Sequence, residues 1–249
     1  MKVIWQIEPE DVVRVRRFFE NHKQSQFVKH RITTNLASNK PLIEKPALWE
    51  RLVGCLLTTQ QRSGPDSAVT KFLLTKPFPL AYSICAEQDD LAEFARTTIS
   101  GFGGLRRSTT IGRELALNMS FLSNGGWEPT LAHLDDVRLN SSPKAERDVA
   151  AFIDTHFKGF GPKQSRNLLQ GLGLSRYEIP IDSRIAKWLN AIGFPVKLTA
   201  NALQDRNYYN FVSDGFQQLC AACDIMPCVL DAVIFSSYDD GKWTEENVM

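Results

Sequence analysis

Two side chains in this sequence have both the type and the setting for covalent chemistry, Lys163 and Asp182. Lys163 follows Gly159-Phe160-Gly161-Pro162. The glycines let the backbone turn around one apolar residue, and Pro162, with its fixed φ, opens the next helix, so Lys163 falls in that helix's first turn. The positive end of a helix dipole disfavours a cation, and a sequence built for stability carries Asp or Glu there. The same field favours the neutral amine, the form that attacks carbon, and burial pushes further in that direction. Asp182, in Ile181-Asp182-Ser183-Arg184, precedes a second helix start. A carboxylate that caps a helix is held by its own hydrogen bonds, so capping and catalysis are compatible. Lysine and aspartate on successive helix starts can converge on one cleft. Each also has a plainer reading: Lys163 as a solvated turn lysine, Asp182 as a cap and nothing more.

The turn between them and the preceding helix is a third feature. Backbone N–H groups left uncovered by Gly159 and Gly161 at a helix N-terminus form an anion site suited to a phosphate. By itself Gly-x-Gly is also ordinary helix-stop chemistry.

The elements that must position these groups read as helices throughout. Apolar residues recur at three- and four-residue spacing, with no long period-two pattern, which predicts an all-α chain. Glu8-Pro9-Glu10-Asp11 opens one helix. A second runs from about Pro46, buries Leu48, Trp49, Leu52, Val53, Leu56 and Leu57, and finishes abruptly in Thr58-Thr59-Gln60-Gln61-Arg62. Gly64-Pro65 breaks the chain before a helix near Asp66, and others are predicted over 89–98, 106–122, 145–156, 162–172, 183–192, 210–222 and 227–237. The predicted organisation is one unit of two helical subdomains around a cleft, an inner one over about 50–140 and an outer one from 1–49 plus 141–249.

The chain has 249 residues, 43% of them apolar, enough for a core of ordinary size. Its net charge of +1 does not announce a polyanion partner, but the distribution is uneven. From Arg14 to Arg31 six bases face the single acid Glu20, and from Thr155 to Tyr177 there are four bases and no acid. From Asp214 onward the sign reverses, with Asp214, Asp224, Asp231, Asp239, Asp240, Glu245 and Glu246 against Lys242. Such a molecule can orient a polyanion without being basic as a whole; solvated helix faces are the plainer account. No apolar run approaches the roughly 18 residues of a membrane span, and no signal-like segment opens the sequence, so an intracellular location, in cytoplasm, nucleoid or nucleus, is expected.

The segment Lys158 to Gly173 with Ile181-Asp182-Ser183-Arg184 resembles the helix-hairpin-helix, glycine/proline-rich loop and aspartate signature of the DNA glycosylase superfamily that includes endonuclease III. Within it the chain is most similar to the second-type and archaeal 8-oxoguanine glycosylases, with Ser183 standing between the aspartate and the arginine as a small departure. The resemblance implies duplex DNA with a damaged base as partner, a monomer, Lys163 and Asp182 as catalytic residues, and Gly159, Phe160, Gly161 and Arg184 at the DNA. Leu56-Leu57-Thr58-Thr59-Gln60-Gln61 resembles the superfamily's helix end that enters the duplex, which puts Gln60 in the gap left by a flipped base, with Gln61 and Arg62 beside it at the DNA. An amide can hydrogen-bond an orphaned partner base of any identity; a frayed polar helix end is the alternative.

Pro227 to Phe235 resembles the last helix of these enzymes, where an acid and an aromatic four residues later line the base pocket. Asp231 and Phe235 share a face by that spacing, one to accept from a guanine edge and one to stack on the base. Phenylalanine stands where the family usually has tryptophan, and core packing is its alternative role. Two rival functions remain: a lyase of this fold acting on oxidised pyrimidines or abasic sites, and a non-catalytic helix-hairpin-helix DNA-binding module, which needs neither Asp182 nor the Asp231/Phe235 pair.

Cys220-x2-Cys223-x4-Cys228 invites a metal reading. The iron–sulfur branch of the superfamily uses four cysteines; here Ser213 occupies the first place and the final gap is one residue short. No histidine follows His156 to complete a zinc site. The five cysteines are therefore read as reduced thiols, with no metal and no cofactor.

Overall fold

A computed structural model describes residues 4–239 and 242–248; Asp240, counted above in the acidic stretch, lies outside them. The all-α expectation holds, with no strand among the described residues. In chain order the helices are α1 (Pro9–His22), α2 (Gln26–Asn35), α3 (Lys45–Leu57), α4 (Ala68–Leu73), α5 (Tyr82–Ala86), α6 (Leu91–Phe102), α7 (Ser108–Phe121), α8 (Trp127–Leu139), α9 (Pro143–His156), α10 (Pro162–Gly171), α11 (Ser183–Ile192), α12 (Arg206–Ala222) and α13 (Pro227–Ser237).

Three helices escape the sequence pattern for identifiable reasons. Helix α2, rich in β-branched residues, buries only Val28 and Asn35, too little for a visible stripe. Helix α5 is a single short turn. Helix α8 begins where a π-turn at Leu122–Gly126 leaves helical geometry at Asn124 and Gly125, and Pro129 near its start is tolerated because the first turn needs no donor there. Helix α12 starts at Arg206, ahead of the expected Asn210, because Asp205 caps it by accepting from the Tyr208 N–H at 2.8 Å.

Buried apolar side chains form three clusters. The first runs from Leu48 to Leu174 and draws on α3 to α10. The second joins Val15 of α1 to residues from Ile179 to Ile234. A small third is Val28 of α2 against Cys228, Val229, Ala232 and Val233 of α13. The first cluster therefore forms a body that runs well past residue 140, because α10 packs on α3 and α9 through Leu168 and Leu169. Within that body α6 and α7 lie unusually close: a Cβ on Gly112 would sit 2.4 Å from the Ala92 carbonyl oxygen, so only glycine fits. No single described helix is long and apolar enough to cross a membrane.

The segment from Ser175 to Asp182 crosses between the two larger clusters, and it is fixed by buried charge. Glu178, fully buried, accepts from Arg166 Nε of α10 at 2.6 Å, from Arg147 Nη2 of α9 at 2.6 Å, and from Ser213 and Gln217 of α12 at 3.1 and 2.9 Å. Glu146, also buried, accepts the backbone N–H groups of Arg176, Tyr177 and Glu178, each at 2.8 Å. A buried charge is tolerated when every lone pair is met in this way, and removing one member strands the rest. Arg166→Met should therefore lower unfolding free energy by about 3 to 5 kcal/mol in urea titrations. A loss below about 1 kcal/mol would show that the joint does not depend on the pair.

Candidate active site

The cleft lies where the end of α3, the hairpin and the starts of α10 and α11 meet, and it has a volume of about 1070 Å³. The hairpin is built as the sequence indicates. Gly159 has φ +83°, and a Cβ there would lie 2.5 Å from Leu56 Cδ2 and 2.8 Å from the Glu114 carboxyl, so conformation and space both demand glycine. Gly161 differs: its backbone is extended and nothing lies within 4 Å of a Cβ, which leaves its open side to the cleft. Asn118 of α7 braces the turn, donating to the Lys158 carbonyl at 3.0 Å and accepting from the Lys158 N–H at 2.7 Å. Phe160, expected at the DNA, turns its ring into the core against Phe157; only its backbone is left for a phosphate.

Lys163 and Asp182 both line this cleft. Lys163 sits half-buried in the first turn of α10. Burial pushes its amine below the usual lysine range, opposed in part by Asp182, Cys55 and Asp231. No carboxylate lies within 4.0 Å of its nitrogen among the described residues, so no ion pair fixes the proton. Its hydrogen bond goes instead to the Gln164 side-chain oxygen, at 3.3 Å. Asp182 is the N-cap of α11, and one oxygen, Oδ1, does all the capping, accepting from Arg184 N at 2.8 Å and Ile185 N at 3.0 Å. Oδ2 makes no hydrogen bond among the described residues. A carboxylate with one oxygen anchored and one unengaged can hold its place while interacting with a bound group.

From the other wall, Gln60 reaches the cleft in a left-handed conformation, φ 56°, unusual for a residue with a side chain, and its exposed amide makes no hydrogen bond among the described residues. Gln61 plays a different part: it donates to the Gly104 carbonyl at 3.1 Å and accepts from Arg106 N at 2.8 Å, bracing the loop. Arg62 is exposed, with its guanidinium 3.6 Å from Asp239. Arg184 points inward, donating to the Phe235 carbonyl and to Asp239, both at 2.9 Å.

The two pocket residues separate. Phe235 lines the cleft, but its ring already carries the Arg184 guanidinium at 4.0 Å and stacks on Phe27 of α2 at 4.9 Å between centroids. Asp231 does not line the cleft; it is 3% exposed and accepts from Gln170 Nε2 at 2.7 Å. Burial raises its pKa to about 7, against the pull of Arg31. Asp239, read from sequence only as part of an acidic tail, emerges as a buried carboxylate of the cleft wall. Gln164 was also missed; the available signal was a polar residue on the buried side of an amphipathic helix. The cysteines are all buried thiols, and no group of three metal-ligating side chains occurs among the described residues.

The Asp231 geometry gives a pH prediction. Because its folded pKa lies above the unfolded value, folding takes up a proton, and the associated stability is present at low pH and lost as pH rises toward 7. Asp231→Asn keeps an acceptor for Gln170 and has no charge to bury. Relative to wild type it should gain stability progressively from about pH 4 to pH 7, by a few kcal/mol in all. Urea unfolding of both proteins at pH 5 and pH 8 measures the difference; equal differences at the two pH values would contradict the shift.

No protein-family model matches the chain, and no curated protein sequence does. Solved structures do. The 8-oxoguanine DNA glycosylase of Methanocaldococcus jannaschii superposes with a TM-score of 0.66 at 15% identity, over 95% of this chain and 98% of that one. That of Thermotoga maritima gives 0.64 at 15% identity, over 94% and 97%. The M. jannaschii 8-oxoguanine glycosylase/lyase in complex with a 15mer DNA containing 8-oxoguanine gives 0.66 at 16% identity, over 91% and 97%. Across nearly its whole length, the chain has the fold of these 8-oxoguanine DNA glycosylases.

Proposed function

We propose that this protein is a DNA glycosylase and abasic-site lyase that removes 8-oxoguanine from duplex DNA. The observation that carries the reading is the convergence of Lys163, Asp182, the hairpin turn and the Gln60 side chain on one cleft. Its fold, and a neighbour of that fold solved with 8-oxoguanine DNA, support the choice of substrate.

In the proposed reaction the hairpin N–H groups hold a phosphate, Gln60 fills the gap in the duplex, and the damaged nucleotide swings into the cleft. The neutral Lys163 amine attacks C1′ while the C1′–N9 bond breaks, its electron pair leaving with the base. Asp182 stabilises the positive charge that builds on the sugar and relays the lysine's proton to the departing base. The Nζ lone pair then opens the sugar ring, the C1′–O4′ pair leaving on O4′, which takes a proton from solvent, and a protonated Schiff base forms between C1′ and Nζ. Loss of a C2′ proton then expels the 3′ phosphate by β-elimination and nicks the strand. Phe235 serves as a stacking platform once Arg184 leaves its ring.

One observation favours a second reading, an abasic-site lyase. Asp231 is buried and does not line the cleft, the Phe235 ring is covered, and a bare sugar needs neither. Strand cleavage of matched duplexes carrying 8-oxoguanine or an abasic site separates the two. Turnover of both supports the glycosylase; cleavage of the abasic duplex alone supports the second reading, and cleavage of neither removes both.

Borohydride present during turnover should trap a protein–DNA adduct in the wild type. Lys163→Gln should lose adduct and nicking while still binding the duplex; undiminished trapping would exclude Lys163. Asp182→Asn retains the capping oxygen, so its unfolding free energy should change by less than about 1 kcal/mol, while base release slows about a hundredfold or more in single-turnover assays. Full activity would reduce Asp182 to a cap.

A further inference from the structure

Gln164 follows the lysine but belongs to the α3 side of the cleft. Its amide nitrogen donates to the Cys55 carbonyl at 2.6 Å and to Thr59 Oγ1 at 2.6 Å. A carbonyl can only accept, so this contact fixes which end of the amide is nitrogen. The oxygen must then face the other way, where it receives Lys163 Nζ at 3.3 Å and Asn167 Nδ2 at 3.1 Å. The side chain is buried, and its orientation is decided by α3.

We propose that Gln164 is the positioning residue for the Lys163 amine, holding one N–H so that the nitrogen lone pair turns away from it, and tying that orientation to the turn that carries Gln60. An amine donating to an acceptor cannot point its lone pair at the same atom, so the contact limits the directions from which Lys163 can attack. Thr59, hydrogen-bonded to the same amide, is one residue from Gln60. Displacement of the Gln60 turn therefore reaches the amine through one side chain. The catalytic consequence rests on the reading of Lys163 as nucleophile; the placement of its amine does not.

The charged and titratable groups facing Lys163 are Asp182 at the start of α11, Cys55 on α3 and Asp231 on α13, with Arg51 acting on Cys55 and Arg31 on Asp231. Gln164→Glu leaves all of these in place and sets a carboxylate beside the amine, which holds the proton to higher pH, while its second oxygen can no longer donate to the Cys55 carbonyl. Two readouts follow the amine in the full-length protein. One is reductive methylation of Lys163 by formaldehyde and borohydride, read by peptide mass spectrometry across pH; it needs no DNA. The other is borohydride trapping on an abasic-site duplex across the same range.

In Gln164→Glu the acid limb of both profiles should move up by about one pH unit or more. Gln164→Met keeps the length without hydrogen bonds and should trap about tenfold more slowly or worse, with no upward movement of the limb. A purely structural role predicts lower melting temperatures with both limbs unmoved. A methylation limb in Gln164→Glu within roughly half a unit of wild type would overturn the proposal. If that variant does not fold, wild-type trapping by Gln164→Met would do so. A methylation limb that moves in a protein giving no adduct on either duplex would sustain Gln164 and reject the proposed function.

Discussion

The buried contact between Arg166 and Glu178 is the constraint on which the rest of the site depends. Arg166 meets Glu178 through Nε and the Pro162 carbonyl through Nη1, at 3.0 Å, so one guanidinium holds both the first residue of α10 and the strap leading to α11. It lies over the Tyr209 ring at 4.5 Å, and the Tyr209 hydroxyl accepts from Ile181 N at 2.6 Å and donates to the Ile179 carbonyl at 2.9 Å. Lys163 is thus one residue from a clamped carbonyl and Asp182 one residue from a clamped N–H. In a low-dielectric interior such a network is stiff because each broken contact leaves an unpaired charge or dipole. Two side chains on separate helices then keep one spacing.

That rigidity permits an arrangement that is locally unfavourable. A lysine at a helix N-terminus faces the positive end of the dipole, and burial adds a desolvation cost that lowers its proton affinity. Asp182 opposes this only from a distance. Had the two formed an ion pair, the amine would hold its proton more firmly; the fold keeps them on the same cleft without one. The joint behind it supplies the rigidity, since both oxygens of Glu178 are met.

The far side of the cleft has a similar economy of contacts. Arg184, Phe235, Phe27 and Arg31 form a continuous stack of cation, ring, ring and cation, with Arg31 5.4 Å from the Phe27 ring. Asp239 accepts from Arg184 and lies near Arg62, so one carboxylate links two arginines from opposite walls of the cleft. Arg62 can leave Asp239 at little cost, since that side chain is largely exposed. Withdrawing Arg184 breaks a buried pair and a cation–ring contact, a larger demand.

Much of this was legible in the sequence, because local rules govern it. The helical class follows from apolar spacing, the hairpin from Gly159 and Pro162, the first-turn lysine from its position after that proline, and the Asp182 cap from its place before Ser183. Tertiary structure decided what depends on distant partners. Phe160 went into the apolar cluster that spans α3 to α10, and Gln61 onto the Gly104 loop, because the folded chain offered better contacts there than solvent. Asp231 and Phe235 share a helix face, as their spacing requires, yet α2 and α10 bury one and leave the other at the cleft. Arg166, Glu178 and Asp239 carry no local signature, and Gln164 shows only as a polar residue on the buried side of its helix. A buried polar side chain is specified by the donor or acceptor that meets it, and that partner lies 109 residues away in the case of Gln164 and Cys55.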